Sequence, residues 1–128
     1  MNTGKQISTE DLSRSMKMRS ELIKKIDHLF GEYDFLAMPS AQVFPFDKNT
    51  DHPKKISGKE MQTYHQWMEV TVLSSLLGLP TISIPVGFNE NNLSMGMQII
   101  GRKKEDLRVI SFAKRYEQIF GYSNVTPT

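Results

Sequence analysis

The chain has 128 residues, 38% hydrophobic and 23% charged, with a net charge of +2, three histidines and no cysteine. That length suits one core, and that composition is too apolar for a disordered polypeptide. Without cysteine there are no disulfides, thiolate metal sites or cysteine nucleophiles.

The basic runs Lys24-Lys25, Lys54-Lys55 and Arg102-Lys103-Lys104 each have acids nearby, so no basic face for nucleic acid is expected. Met1 to Asp11 lacks the apolar region of a secretory signal. The most apolar stretch, Leu76 to Phe88, is interrupted by Gly78, Pro80 and Pro85 and cannot form a spanning helix. A soluble, cytoplasmic protein without membrane or nucleic-acid partners is the expectation.

Ser8 or Thr9 begins a helix whose apolar residues Leu12, Met16, Ile23, Ile26 and Phe30 recur at helical spacing, and Gly31 is expected to end it. Asp34 to Met38 reads as a short strand running into Pro39. From Pro39 to Ser57 the prolines and turn residues show no sustained period, which predicts a long loop over 39–58. Its apolar tip, Val43-Phe44-Pro45-Phe46, needs a surface to rest on. Ser57 and Glu60 have the S-x-x-E spacing of a capping box, predicting a helix from Lys59 to about Leu77. The second half of that helix, Val70 to Leu77, is apolar almost all round. Such a helix is buried on every face, so it is expected to pack against sequence outside this chain.

Gly78 and Pro80 stop the helix. Thr81 to Gly87 then alternates, with Ile82, Ile84 and Val86 on one face. Asn89 to Asn92 form a turn, and Met95 to Gly101 returns as a second strand. Glu105 to Phe120 places Val109, Phe112, Ala113, Tyr116 and Phe120 on one helical stripe. The order α-β-loop-α-β-β-α predicts an α/β fold, a mixed β-sheet covered by helices, within a single partial domain over 1–128.

Two motifs at fixed spacing identify a relative. The first comprises Thr71, Gly78-Leu79-Pro80, Ile82-Ser83, Pro85 and Gly87; the second is Gly96-Met97-Gln98-Ile99-Ile100-Gly101-Arg102. Together they resemble the C-terminal signature of the amidase signature family, whose second motif reads G-x-Q-[LI]-[VI]-G-R. Tyr33 to Ser40 is similar to the family's D-x-L-L-x-P strand, and Tyr64 to Met68 to its Tyr-x-x-Trp-Met segment. Ser75 and Ser94 depart from the family's usual asparagine and proline, and neither change removes a catalytic group.

The resemblance implies carboxamide hydrolysis by a serine, a cis-serine and a lysine. In the family these lie in a Gly/Ser-rich portion upstream of the region matched, and no such segment occurs in this chain. The resemblance therefore implies no catalytic, cofactor-binding or metal-binding residue here, and an inactive isolated chain. It also implies a partner, either the N-terminal portion of the amidase or a second copy meeting an exposed apolar surface. The loop from Pro39 to Ser57 is a candidate wall of the substrate pocket.

Two other readings compete. One is a stand-alone, non-catalytic binding module on an amidase-like scaffold. The other is a small hydrolase using Ser111 and Lys114, which have the S-x-x-K spacing of penicillin-recognising enzymes but lack S-D-N and K-T-G companions. His28, His52 and His65 stand at no metal-ligand spacing and read as surface or partly packed residues. Gln98, an amide inside an apolar strand, requires hydrogen-bond partners, and a structural tie to a neighbouring loop is the simpler account. Gly87, Gly96 and Gly101 lack the context of a phosphate loop, so close strand packing is expected.

Overall fold

The computed structural model describes residues 7–125 and divides into two compact units, Met1–Asp34 and Phe35–Thr128. The first contains helix α1 (Thr9–Glu32). Its start is a capping box: the Asp11 N–H donates to Ser8 Oγ (3.0 Å) and the Ser8 N–H to Asp11 Oδ2 (3.2 Å). The helix runs one residue beyond Gly31 and ends as Tyr33 turns extended at φ −121°.

The second unit is built on a three-stranded sheet of β1 (Leu36–Pro39), β4 (Thr81–Phe88) and β5 (Ser94–Ile100), with β5 in the centre. Both pairings are antiparallel; Met38 and Ser83 lie opposite Gln98 from either side. The α/β class therefore holds. Ile82, Ile84 and Val86 of β4 and Met97 and Ile99 of β5 share one face, which meets Phe112, Ala113 and Tyr116 of helix α4 (Asp106–Phe120). Phe35 packs into the same core, its ring 4.8 Å from that of Phe112. The alternation along β4 and the stripe on α4 are two halves of one apolar interface. Gly101, just past β5, shows how tightly the chain approaches that helix, because a Cβ there would overlap Val109 Cγ2.

The region between β1 and β4 departs from the sequence expectation. No capping box forms at Ser57 and Glu60, and no continuous helix runs from Lys59 to Leu77. Instead Ser57 and Gly58 turn a small hairpin between β2 (Lys55–Ile56) and β3 (Lys59–Glu60). Their φ values of 48° and 84° suit a two-residue type I′ turn and are incompatible with a helix N-cap. Helical structure resumes only as α2 (Tyr64–Trp67), a 3₁₀ turn (Glu69–Thr71) and α3 (Val72–Leu77). Three consecutive β-branched residues, Val70, Thr71 and Val72, slightly lower the local preference for a helix here. The Thr71 N–H and hydroxyl both bond the Met68 carbonyl (3.0 and 2.9 Å), replacing the α pattern with a tighter one. Gly78, at φ 65°, then closes α3 as expected.

Candidate functional site

Gln98 lies on the sheet face opposite α4. It is 5% exposed, and its Nε2 donates to the carbonyls of Pro39 (2.8 Å) and Val70 (3.1 Å). One amide thus ties the end of β1 and the 3₁₀ turn to the central strand. The expected structural tie is present and reaches two segments.

Gln42 plays a parallel part in the long loop. Its Nε2 donates to the carbonyls of Gln66 (2.8 Å) and Trp67 (2.6 Å). The edge of Trp67 also receives Phe46, with ring centroids 5.6 Å apart, so the apolar tip of the loop has a docking site within the chain. Nothing in the sequence marks Gln42, an isolated amide among loop residues. The long segment over 39–58 is therefore a tethered layer ending in a hairpin.

Two apolar recesses border this layer. The larger, of about 480 Å³, opens between the exit of β1, the hairpin and the 3₁₀ turn, with Pro39, Ala41, Ile56, Met61 and Val70 among its walls. Lys59 is the one charged residue lining it. A volume of this order suits a small organic ligand. The second, about 250 Å³, sits at the short end of β1 beside Met38, Met95 and Met97.

The other sequence candidates do not assemble into a catalytic group. Ser111 Oγ donates to the Leu107 carbonyl (2.7 Å) along its own helix and makes no bond to Lys114, so S-x-x-K here is a helical back-bond. His28 pairs loosely with Glu32 (3.7 Å) on α1, and His65 lies on α2 with its ring edge-on to Tyr64. His52 is buried, more so than the sequence suggests. Its Nδ1 lies 3.0 Å from Asp51 Oδ2 and its Nε2 3.2 Å from Lys54 Nζ, with Tyr64 edge-on at 5.9 Å. No hydroxyl bonds to it. Among the described residues, no three His, Cys, Asp or Glu side chains are grouped to hold a metal ion. Nor is any helix there long and apolar enough to cross a membrane.

Gly96 and Gly101 are close-packing positions, whereas Gly87 is not: a Cβ there would meet only Tyr122 Oη at 3.9 Å, and its φ of 139° beside the register shift after Pro85 is what calls for glycine. A Cβ on Gly96 would lie 2.8 Å from Ser40 Oγ and 2.9 Å from Ser83 Oγ, so the strand passes beneath two hydroxyls without room for a side chain.

The family model for amidases matches residues 1–110. The chain belongs to the amidase signature family. Its relatives include the glutamyl-tRNA(Gln) amidotransferase A-subunits of Sulfolobus acidocaldarius and Brevibacillus brevis. The first is 32% identical over 115 residues, 88% of this chain and 22% of the relative. The second is 31% identical over 116 residues, covering 89% and 22%. A bacterial aryl acylamidase of the amidase signature family superposes on 96% of this chain with a TM-score of 0.85 and 28% identity, using 26% of its own length. The structure of the corresponding amidotransferase protein from Thermotoga maritima matches at a TM-score of 0.61 and 30% identity, covering 77% of this chain and 20% of its own. The chain thus spans between a fifth and about a quarter of these relatives, and corresponds to a C-terminal segment of the amidase fold.

Proposed function

We propose that the chain is the C-terminal part of an amidase signature hydrolase, whose chemistry is carboxamide C–N cleavage by a Ser-cisSer-Lys relay carried on an N-terminal portion. The observation that supports this most is the G-x-Q strand, Gly96 to Arg102: its family motif matches and its glutamine performs a definite architectural task. In the complete enzyme the serine attacks the amide carbonyl, the lysine and cis-serine relay its proton to the leaving amine, and water releases the acyl group. Backbone amides hold the oxyanion. This chain supplies none of those groups. Its contribution is to complete the sheet and, through the loop from Pro39 to Ser57, to wall the substrate pocket.

The isolated chain should therefore show no amide turnover and no labelling by a serine-directed fluorophosphonate, since the whole relay is lacking. Supplying the N-terminal portion of the same enzyme should restore both. Labelling of the isolated chain that disappears in Ser111→Ala would overturn the reading in favour of an autonomous hydrolase.

A second reading, a stand-alone binding module, draws support from the layer itself, because Gln42, Phe46 and the hairpin find their partners within this chain. The DNA upstream of the Met1 codon separates the two. A Gly/Ser-rich stretch and a lysine in amidase context there favour the hydrolase.

A further inference from the structure

We propose that the larger recess is a binding site for a small apolar molecule bearing a carboxylate, and that Lys59 selects for the charge. Taken as a substrate preference, the inference rests on the amide-hydrolase reading; taken as a binding site, it does not.

The walls are held in place before any ligand arrives. Pro39 is bonded through its carbonyl to Gln98, as is Val70, and Gln42 fixes the loop to α2. On the third side the hairpin carries Ile56 and Lys59 opposite one another, and Met61 continues it, with its N–H donating to the Lys54 carbonyl (2.8 Å). A recess tied by side-chain amides at two corners needs little reorganisation, and pre-ordering of this kind lowers the cost of binding.

The two lysines of the hairpin strands differ in their pairing. On the same hairpin Lys55 faces Glu60 at 3.4 Å, so that cation is matched. The Lys59 ammonium has no ion-pair or hydrogen-bond partner among the described residues, and the residue lines the recess. No carboxylate lines the recess with it. An apolar body therefore fits against Ile56, Met61 and Val70 while an anionic group pairs with the Lys59 ammonium. A cationic ligand meets repulsion there, and a neutral one forgoes the attraction.

The test is a titration of the isolated chain, labelled at its methionine methyls, with 4-phenylbutyrate and with its neutral counterpart 4-phenylbutanamide, followed by NMR at low salt. The Met61 methyl should shift with both ligands. The acid should bind roughly two- to fivefold tighter than the amide, the range of an exposed ion pair, and the difference should shrink as salt is added. Lys59→Gln should abolish the difference between acid and amide, whereas Lys55→Gln should preserve it. Shifts confined to Met38, Met95 and Met97 would place the ligand in the smaller recess and overturn the assignment. Equal affinities in the unsubstituted chain, or no shift at Met61, would overturn it as well. Failure of the N-terminal portion to restore turnover sinks the hydrolase reading without touching this result, so the two failures are distinguishable.

Discussion

Ser40 and Ser83 join hydroxyls at 2.6 Å across the strand that separates them. Ser40 follows β1 and Ser83 lies in β4, the two outer strands; Gly96 of the central strand passes beneath. The bridge spans the sheet only because the middle position has no Cβ. Gly96→Ala should therefore force the pair apart and destabilise the chain by about 1–3 kcal/mol, the usual cost of overpacking. Urea denaturation measures it. Combining Gly96→Ala with Ser40→Ala and Ser83→Ala should recover much of the loss, and an undiminished loss would show that the strain lies in the backbone.

Gln98→Leu should cost about 1–3 kcal/mol, because the carbonyls of Pro39 and Val70 lose their shared donor in a part-buried site. The same denaturation experiment reads it. A neutral outcome would mean that water replaces the amide without penalty.

Gln42→Ala should act locally. With the Gln66 and Trp67 carbonyls released, amide exchange should quicken through residues 43–63 and stay slow in β4 and β5. Uniformly faster exchange would instead indicate that loop and sheet unfold as one unit.

Val72 and Leu76 lie one turn apart on α3 and are 48% and 43% exposed, while Ser74 and Leu77 are buried. The isolated chain should accordingly bind a hydrophobic dye or self-associate, and Val72→Gln with Leu76→Gln should reduce both. A clean monomer in sedimentation that binds no dye would show that this surface needs no cover.

Acid should weaken the start of α1. The Ser8 hydroxyl, and then its backbone N–H, hold the Asp11 carboxyl below its ordinary value of 3.8. A depressed carboxylate stabilises at neutral pH, and that contribution is lost as pH falls through the ordinary value toward the depressed one. Helical circular dichroism should hold steady down to about pH 5 and decline below about pH 4, with a smaller decline in Ser8→Ala. An identical decline in the variant would assign the acid effect to other carboxylates.

Periodicity alone determined most of the elements of this protein. The two-residue alternation of Thr81 to Gly87 and the stripe on Glu105 to Phe120 specify faces, and a face can be read along a chain without knowing what it meets. The two motifs, Thr71 to Gly87 and Gly96 to Arg102, likewise identified the family, because residue types at fixed spacing are read directly along the chain.

The segment between β1 and β4 is where tertiary structure decided. In a continuous helix the carbonyls of Gln66, Trp67 and Val70 would serve the amides of Val70, Thr71 and Ser74. Here they accept from Gln42 and Gln98, residues 24 to 28 positions away in the sequence. The S-x-x-E spacing at Ser57 describes a helix start equally well, yet the chain turns there with positive φ and pairs Ile56 with Lys59. Local patterns report which faces are apolar; they do not report which distant amide will capture a carbonyl. Where one helix was expected, the chain has a hairpin, two short helices and a 3₁₀ turn whose carbonyls are held by distant amides, and the recess that Lys59 lines opens between them.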